Sequence, residues 1–164
     1  LDSLADLTSF GVAPAYLYFL LSPIQGWPAM IPPLAIVTAS AVRLAKFNLL
    51  PPSPYFTGLP TPATAMFLIG LFLGMEYDSQ IIKTIFSNTY AYWAIAFFFA
   101  FMMVSTVRMF SLKGLNKDMR QNKLQLVLLV VFILLLLVDN KLAAPVVILL
   151  YIILSLAQSL SRKA

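Results

Sequence analysis

The stretch "MIPPLAIVTASAVRLAKFN", residues 30–48, decides the fold class. Residues 30–42 carry no charge, two prolines stand near their start, and Arg43 and Lys46 close the run. Proline suits the first turn of a helix, because the N–H that it lacks would have no helical partner there. Long basic side chains at the end of an apolar helix reach the polar surface of a bilayer. The pattern therefore predicts a helix that crosses a membrane.

The composition extends this interpretation to the whole chain. Of 164 residues, 61% are hydrophobic and 10% are charged, whereas about a quarter of residues are charged in soluble domains. Apolar runs occur at about 7–21, 30–45, 61–75, 90–107, 124–138 and 142–160. They lack the alternation of a barrel strand, and an open sheet would leave unsatisfied edges in lipid. We therefore predict an all-α, polytopic membrane helix bundle of about six transmembrane helices, which forms one integral membrane domain over residues 1–164.

Prolines mark the predicted boundaries of several helices. Pro60 and Pro62 suit the entry to the third helix, and Pro145 suits the start of the last one. Pro14 falls inside the first run, where we expect it to kink the helix. The segment 48–60, "NLLPPSPYFTGLP", contains too many prolines for a regular helix and is expected to be a structured connection.

The distribution of basic residues predicts the orientation. With Leu1 on the cytoplasmic side, that side holds nine basic residues and the other side holds two. The nine are Arg43, Lys46, Arg108, Lys113, Lys117, Arg120, Lys123, Arg162 and Lys163, and the two are Lys83 and Lys141. This asymmetry is typical of a multi-pass protein of a cytoplasmic membrane, and we expect a bacterial one. It also explains the net charge of +5 without a nucleic-acid partner.

The residue inventory narrows the possible chemistry. The chain has no cysteine and no histidine, which excludes thiol chemistry and the commonest general base. Acid–base or metal chemistry must then depend on the six carboxylates, with lysine or tyrosine as further candidates. Asp2 and Asp6 lie at the cytoplasmic start of the first helix and share one helix face. A bound cation between them and simple capping of the helix N-terminus are both compatible with that spacing.

Three motifs in order carry a resemblance to a known family. The stretch "LDSLADLTSFGVAPA" (1–15) resembles the second half of the signature D-x-x-D-G-x-x-A-R … G-x-x-x-D-x-x-x-D of the CDP-alcohol phosphatidyltransferases. Asp2 and Asp6 match its third and fourth aspartates. "RLAKFN" (43–48) and "GLPTPATA" (58–65) resemble elements of the phosphatidylserine synthase branch of that family.

The resemblance covers about residues 1–65 and has two departures. Lys46 stands where many members have arginine, which keeps the charge but loses the planar guanidinium. The first half of the signature is absent from the chain. We therefore expect an N-terminally truncated fragment that lacks the upstream helices and is inactive by itself.

The resemblance implies transfer of a phosphatidyl group from CDP-diacylglycerol to L-serine, with release of CMP. It implies a site of two divalent ions, Mg²⁺ or Mn²⁺, in which Asp2 and Asp6 are ligands and Asp6 is also the general base. Arg43, Lys46 and Asn48 would bind substrate, although Arg43 and Lys46 could also be interfacial anchors and Asn48 could end a helix. The active site would face the cytoplasm.

Other interpretations stay open at this point. Within the family, the acceptor could be inositol or glycerol phosphate, or the donor an archaeal lipid. A non-enzymatic membrane scaffold or transporter belongs to a different class, although a transporter would more naturally carry charges at mid-membrane. The resemblance to the family also implies that the protein is a homodimer surrounded by membrane lipids. The glycines of "IGLFLGM", Gly70 and Gly74, fit a dimer contact or packing within one chain equally well.

Overall fold

The computed structural model describes residues 2–49, 56–77, 79–109, 130–131, 133, 135 and 142–161. The elements of these residues are mostly helical: α1 (Asp2–Leu7), α2 (Ala13–Leu20), α3 (Ile31–Leu49), α4 (Thr61–Glu76), α5 (Gln80–Phe86), α6 (Thr89–Val104) and α7 (Ala143–Ser161). A π-helical turn, Thr8–Val12, joins α1 to α2, and a 3₁₀ turn, Trp27–Met30, leads into α3. The predicted helical architecture is confirmed.

The helix boundaries follow the prolines. Pro32 and Pro33 occupy the first turn of α3, and Pro60 is the N-cap of α4. Pro145 lies in the first turn of α7. The helix α3 continues to Leu49, beyond the apolar run that predicted it. The short helix α5 and a pair of two-residue strands, β1 (Phe56–Thr57) and β2 (Arg108–Met109), were not predicted.

Side-chain hydrogen bonds connect the helices at two opposite ends of the bundle. At one end the start of α1 meets the end of α3, and the end of α3 meets the start of α4. We call this the acidic end, because it holds Asp2 and Asp6. At the other end the Tyr18 hydroxyl donates to the Tyr92 carbonyl over 2.6 Å, and the Tyr92 hydroxyl donates to the Ala29 carbonyl over 3.0 Å. This arrangement agrees with helices that cross the bundle in alternating directions.

Aromatic and small side chains form the core between the helices. The helix α3 packs on α6, and α4 packs on both α2 and α7. The Phe67 and Phe99 rings stack with centroids 4.2 Å apart. A Cβ atom at Gly70 would lie 2.5 Å from Cδ of Pro145. The glycine therefore permits α4 and α7 to approach each other, so it serves packing within one chain.

A tight loop ties the start of α4 to the end of α6. The strands β1 and β2 pair antiparallel, and the Gly58 and Leu59 amides donate to the carbonyls of Val107 and Met102 over 2.8 and 3.0 Å. Gly58 has a φ of +70°, and a Cβ atom there would lie 2.6 Å from the Met103 carbonyl oxygen. Glycine alone fits this position, which supports the prediction that the segment shapes a loop.

Large apolar side chains cover much of the outer surface. Phe101 is 69% exposed, Trp27 76% and Leu34 59%. Soluble monomers rarely expose so many large apolar side chains. Within the described residues, Trp27–Leu49 is long and apolar enough to cross a membrane by itself, and α4 with α5 forms one bent candidate. Six spans stay a prediction.

Part of the sequence prediction lies outside the described residues. Residues 130, 131, 133 and 135 are helical, but most of the run 124–138 is not described. The same holds for most of the basic residues that predicted the orientation, which lie in 110–123, at 141 and in 162–164.

Candidate functional site

Both aspartates lie on α1, at the acidic end of the bundle. Asp2 is exposed in the first turn, and Asp6 follows one turn later and is half-buried. Side chains four residues apart in a helix are neighbours, so the two carboxylates share one face. Such a pair of negative charges favours a bound cation, while Asp2 also meets the positive end of the helix dipole.

A π-helical turn separates this acidic turn from the buried part of the same helix. The Ala13 amide donates to the Thr8 carbonyl, five residues back, whereas an α-helix uses the fourth residue back. Pro14 follows directly and has no amide hydrogen to donate. The predicted disturbance at Pro14 thus appears as a wider turn before it, and π turns occur often at functional sites.

A hydrogen-bonded pair holds α1 against the end of α3. The Asn48 side-chain amide donates to the Ser3 hydroxyl over 2.8 Å, and the Ser3 Oγ and Asn48 Oδ1 atoms are 3.2 Å apart. Ser3 lies between the two aspartates in sequence. The structure therefore brings Asn48, a candidate substrate-binding residue, to the helix that carries Asp2 and Asp6.

Arg43 points toward a different neighbour, the start of α4. Its Nη1 atom donates to the Thr61 hydroxyl over 3.4 Å, and the guanidinium interacts electrostatically with Tyr151 of α7. The Nε atom of Arg43 is buried without a hydrogen-bond partner. Lys46, one turn further along α3, is exposed at the same end. Arg43 is thus a partly buried cation rather than a side chain extended into the interface.

Sequence reasoning missed several of these contacts. Thr61 and Thr64 stand within the motif "GLPTPATA" but were not singled out, although hydroxyl groups near a helix start are a recognisable signal. Ser3 lies between the two aspartates that drew attention. Tyr151 belongs to a distant, apolar part of the sequence that gives no signal for its approach to Arg43.

The carboxylates suit Mg²⁺ or Mn²⁺ in part. Hard divalent cations prefer carboxylate oxygens, and Asp2 and Asp6 present two carboxyl groups on one face. Across the described ranges, no three acidic side chains come together in a group that could hold a metal ion. The pair therefore fits as part of a ligand set, and the remaining ligands would come from groups outside it.

Comparisons with known proteins agree on one activity. No family model matches the chain. The chain is 44% identical over 70 residues to the CDP-diacylglycerol–serine O-phosphatidyltransferase of Methanocaldococcus jannaschii, which covers 43% of this chain and 33% of that protein. The enzyme of that name from Saccharomyces cerevisiae is 44% identical over 87 residues, and the match covers 47% of this chain and 30% of that protein. The enzyme of that name from Mycobacterium tuberculosis is 29% identical over 116 residues, and the match covers 65% of this chain and 36% of that protein. The chain spans about a third of the length of these curated relatives.

Proposed function

Because the chain belongs to the family of the CDP-diacylglycerol–serine O-phosphatidyltransferases, we propose that its protein transfers a phosphatidyl group from CDP-diacylglycerol to L-serine. The products are phosphatidylserine and CMP. The observation that carries the proposal is the acidic end of the bundle. There, two carboxylates on one face of α1 lie beside the end of α3, which supplies Asn48, Lys46 and Arg43.

Asp2 and Asp6 are the proposed metal ligands of this site. Bound Mg²⁺ or Mn²⁺ would supply charge neutralisation at the diphosphate of the donor. The Ser3–Asn48 contact supports this role, because it fixes α1 against α3 and so fixes the side of the bundle on which both carboxylates lie. The other ligands of the proposed two-metal site would come from groups outside this pair.

Asp6 is also the proposed general base. The hydroxyl oxygen of serine attacks the phosphatidyl phosphorus of CDP-diacylglycerol, and a new P–O bond forms while the bond to the CMP oxygen breaks. The hydroxyl proton passes to the Asp6 carboxylate, and the bonding electrons leave with CMP. Asp6 is the half-buried member of the pair.

Arg43, Lys46 and Asn48 are the proposed substrate-binding residues. A guanidinium binds a phosphate or carboxylate through two parallel hydrogen bonds, and the free Nε–H of Arg43 is available for such a pair. Lys46 supplies a second positive charge at the surface of the acidic end. Asn48 can offer polar atoms to substrate while it holds Ser3.

The proposed location is a cytoplasmic membrane, with the acidic end on the cytoplasmic side. The apolar surface and the candidate span Trp27–Leu49 support a membrane-embedded bundle. This placement suits the reaction, because the donor is a lipid while serine and CMP are water-soluble. A bacterial host, six spans in this chain and a homodimer are further parts of the proposal. Since Gly70 packs on Pro145 within the chain, a dimer would use another surface.

The test is an acceptor assay on the full-length protein, purified in detergent and supplied with CDP-diacylglycerol and Mn²⁺. L-serine is expected to yield phosphatidylserine and CMP, with faster turnover than inositol or glycerol phosphate. Preference for one of those alcohols would reassign the acceptor within the family. No CMP release with any alcohol would instead favour a scaffold or transporter.

A further inference from the structure

Two buried polar atoms near the acidic end have no hydrogen-bond partner. They are Nε of Arg43 and Oγ1 of Thr64, and the Thr64 side chain is 1% exposed. Buried polar groups are nearly always hydrogen-bonded, and each exception calls for an explanation. Leaving such a group unpaired is unfavourable, because it has lost its hydrogen bonds to water without gaining others. Two such exceptions suggest that a ligand completes them.

The two atoms belong to neighbouring parts of the bundle. Nη1 of Arg43 lies 3.4 Å from the Thr61 hydroxyl, and Thr61 and Thr64 are three residues apart on α4 and both 1% exposed. Residues at that spacing are neighbours on a helix surface. Tyr151, 2% exposed on α7, interacts electrostatically with Arg43, and α7 packs on α4. Three helices thus converge around the guanidinium.

The charge of this cluster is unbalanced. The described partners of Arg43 are hydroxyl groups, which are neutral, and partly buried charges are normally paired. The start of α4 adds to the imbalance, because a helix N-terminus carries a partial positive charge and the N-cap here, Pro60, supplies no side-chain cap. A bound anion would balance the charge of the guanidinium.

We propose that Arg43, Thr64 and Tyr151 form a buried oxyanion subsite, in which the Thr64 hydroxyl donates to an oxygen of the bound group and helps to select it. The carboxylate of the amino-acid acceptor and a phosphate group of the lipid donor share this chemistry. The choice between these two sources rests on the proposed function, whereas the presence of the subsite rests on the unpaired atoms.

The test measures binding in the absence of turnover. The full-length protein in detergent is titrated with L-serine, with L-serinamide, which lacks the carboxylate, and with inorganic phosphate, and equilibrium affinity is measured by calorimetry. The wild-type protein is expected to bind L-serine or phosphate. Binding of L-serine but not of L-serinamide identifies a carboxylate subsite, and binding of phosphate without L-serine identifies a phosphate subsite.

Variants of Thr64 connect that binding to the subsite. Thr64→Val keeps the shape and removes the hydroxyl, and it is expected to weaken binding of the preferred anion about 10-fold. Thr64→Ser restores the hydroxyl and is expected to restore affinity. Ser40→Ala is the matched control, because Ser40 is a fully buried hydroxyl on the helix of Arg43 that contacts Sδ of Met103 instead.

Two outcomes would overturn the subsite: neither anion binds, or Thr64→Val binds as tightly as Ser40→Ala. The proposed function fails separately. If anion binding depends on Thr64 but the acceptor assay shows no transfer to serine, the subsite stands and the serine transferase assignment does not. Transfer to serine that is indifferent to Thr64 would remove the subsite alone.

Discussion

The side-chain amide of Asn48 donates to the hydroxyl of Ser3 over 2.8 Å, and this contact joins the acidic turn of α1 to the end of α3. The two residues are far apart in sequence, and each lies beside a group of proposed catalytic or binding residues. One polar contact therefore relates the proposed metal ligands to the proposed substrate-binding residues.

Removing either partner of this contact is expected to lower activity to different extents. Ser3→Ala loses only the contact, whereas Asn48→Ala also loses the proposed polar contact with substrate. We expect about a 5-fold loss of kcat/KM for Ser3→Ala, which corresponds to one ordinary hydrogen bond, and a larger loss for Asn48→Ala. Ser9→Ala, at an exposed position in the π-helical turn, is the control. Equal losses in Ser3→Ala, Asn48→Ala and the double variant would limit Asn48 to positioning α1.

Asp2 and Asp6 are expected to respond differently to metal. Asparagine keeps the shape and can still cap a helix, but it loses the charge. Asp2→Asn should weaken metal binding, so raised Mn²⁺ should recover part of the rate. Asp6→Asn also removes the proton acceptor, which costs about 10²–10⁴-fold, and added metal should not restore it. The measurement is a Mn²⁺ titration of activity, with folding checked by size-exclusion profile.

The two outcomes that contradict these roles are distinct. Equal and complete rescue of both variants by Mn²⁺ would remove the general-base role of Asp6. Activity close to wild type in both variants would reduce the acidic pair to helix capping.

Gly58→Ala is expected to destabilise the protein more than Gly26→Ala. Both glycines have positive φ, +70° and +83°, so both substitutions incur the backbone cost of about 1–2 kcal/mol. At Gly58 the new Cβ would also lie 2.6 Å from a backbone oxygen of Met103, whereas at Gly26 the nearest atom is 3.7 Å away. The apparent Tm in detergent should therefore fall further for Gly58→Ala. Equal decreases of the apparent Tm in the two variants would mean that the loop around Gly58 can move away from the Met103 carbonyl without loss of stability.

Tyr18→Phe is expected to lower stability while leaving the acidic end intact. The Tyr18 hydroxyl donates to the Tyr92 carbonyl in the core at the opposite end of the bundle, and loss of one such bond costs about 0.5–1.5 kcal/mol. Tyr90→Phe is the control, since Tyr90 is 85% exposed. The apparent Tm should fall for Tyr18→Phe only, with the KM for serine unchanged. A changed KM would show that the two ends of the bundle are coupled.

The proposed orientation can be tested by labelling in intact cells. Because residues 1–164 contain no cysteine, single cysteines can be introduced by Lys46→Cys and Lys83→Cys into a full-length protein that lacks other cysteines. Lys83 is exposed on α5, and Lys46 is exposed at the acidic end. A membrane-impermeant maleimide should label the cysteine at position 83 and reach position 46 only after lysis. The reverse labelling pattern would mean that the protein has the opposite orientation in the membrane.

Local features were predictable where a single residue type dictates them. Pro32, Pro33 and Pro60 marked the starts of α3 and α4 because proline lacks an amide hydrogen. The spacing of Asp2 and Asp6 sufficed to place them on one helix face. By contrast, the strand pair β1–β2 joins two-residue segments on either side of α4 and α6, and segments so short carry no periodic signal.

The surroundings of the candidate site were less predictable, because they depend on contacts between distant helices. The basic character of Arg43 was evident, but its burial against Thr61 and Tyr151 requires α3, α4 and α7 to converge. Within the aromatic run 90–99, Tyr92 and Phe99 are buried while Phe97 and Phe98 are exposed. Hydrophobicity in a membrane protein does not distinguish a core side chain from one that contacts lipid.

The π-helical turn Thr8–Val12 sets the rotational phase between the acidic turn and the buried part of its helix. A π turn holds one residue more than an α turn, and each residue of an α-helix advances the direction of the side chain by about 100°. Deleting a single residue from this turn would therefore rotate Asp2 and Asp6 by about that angle relative to Ala15 and Tyr18, which are buried in the core. The direction in which the carboxylates point is thus encoded by chain length as well as by residue identity. A one-codon deletion could abolish the site while every proposed ligand is still present.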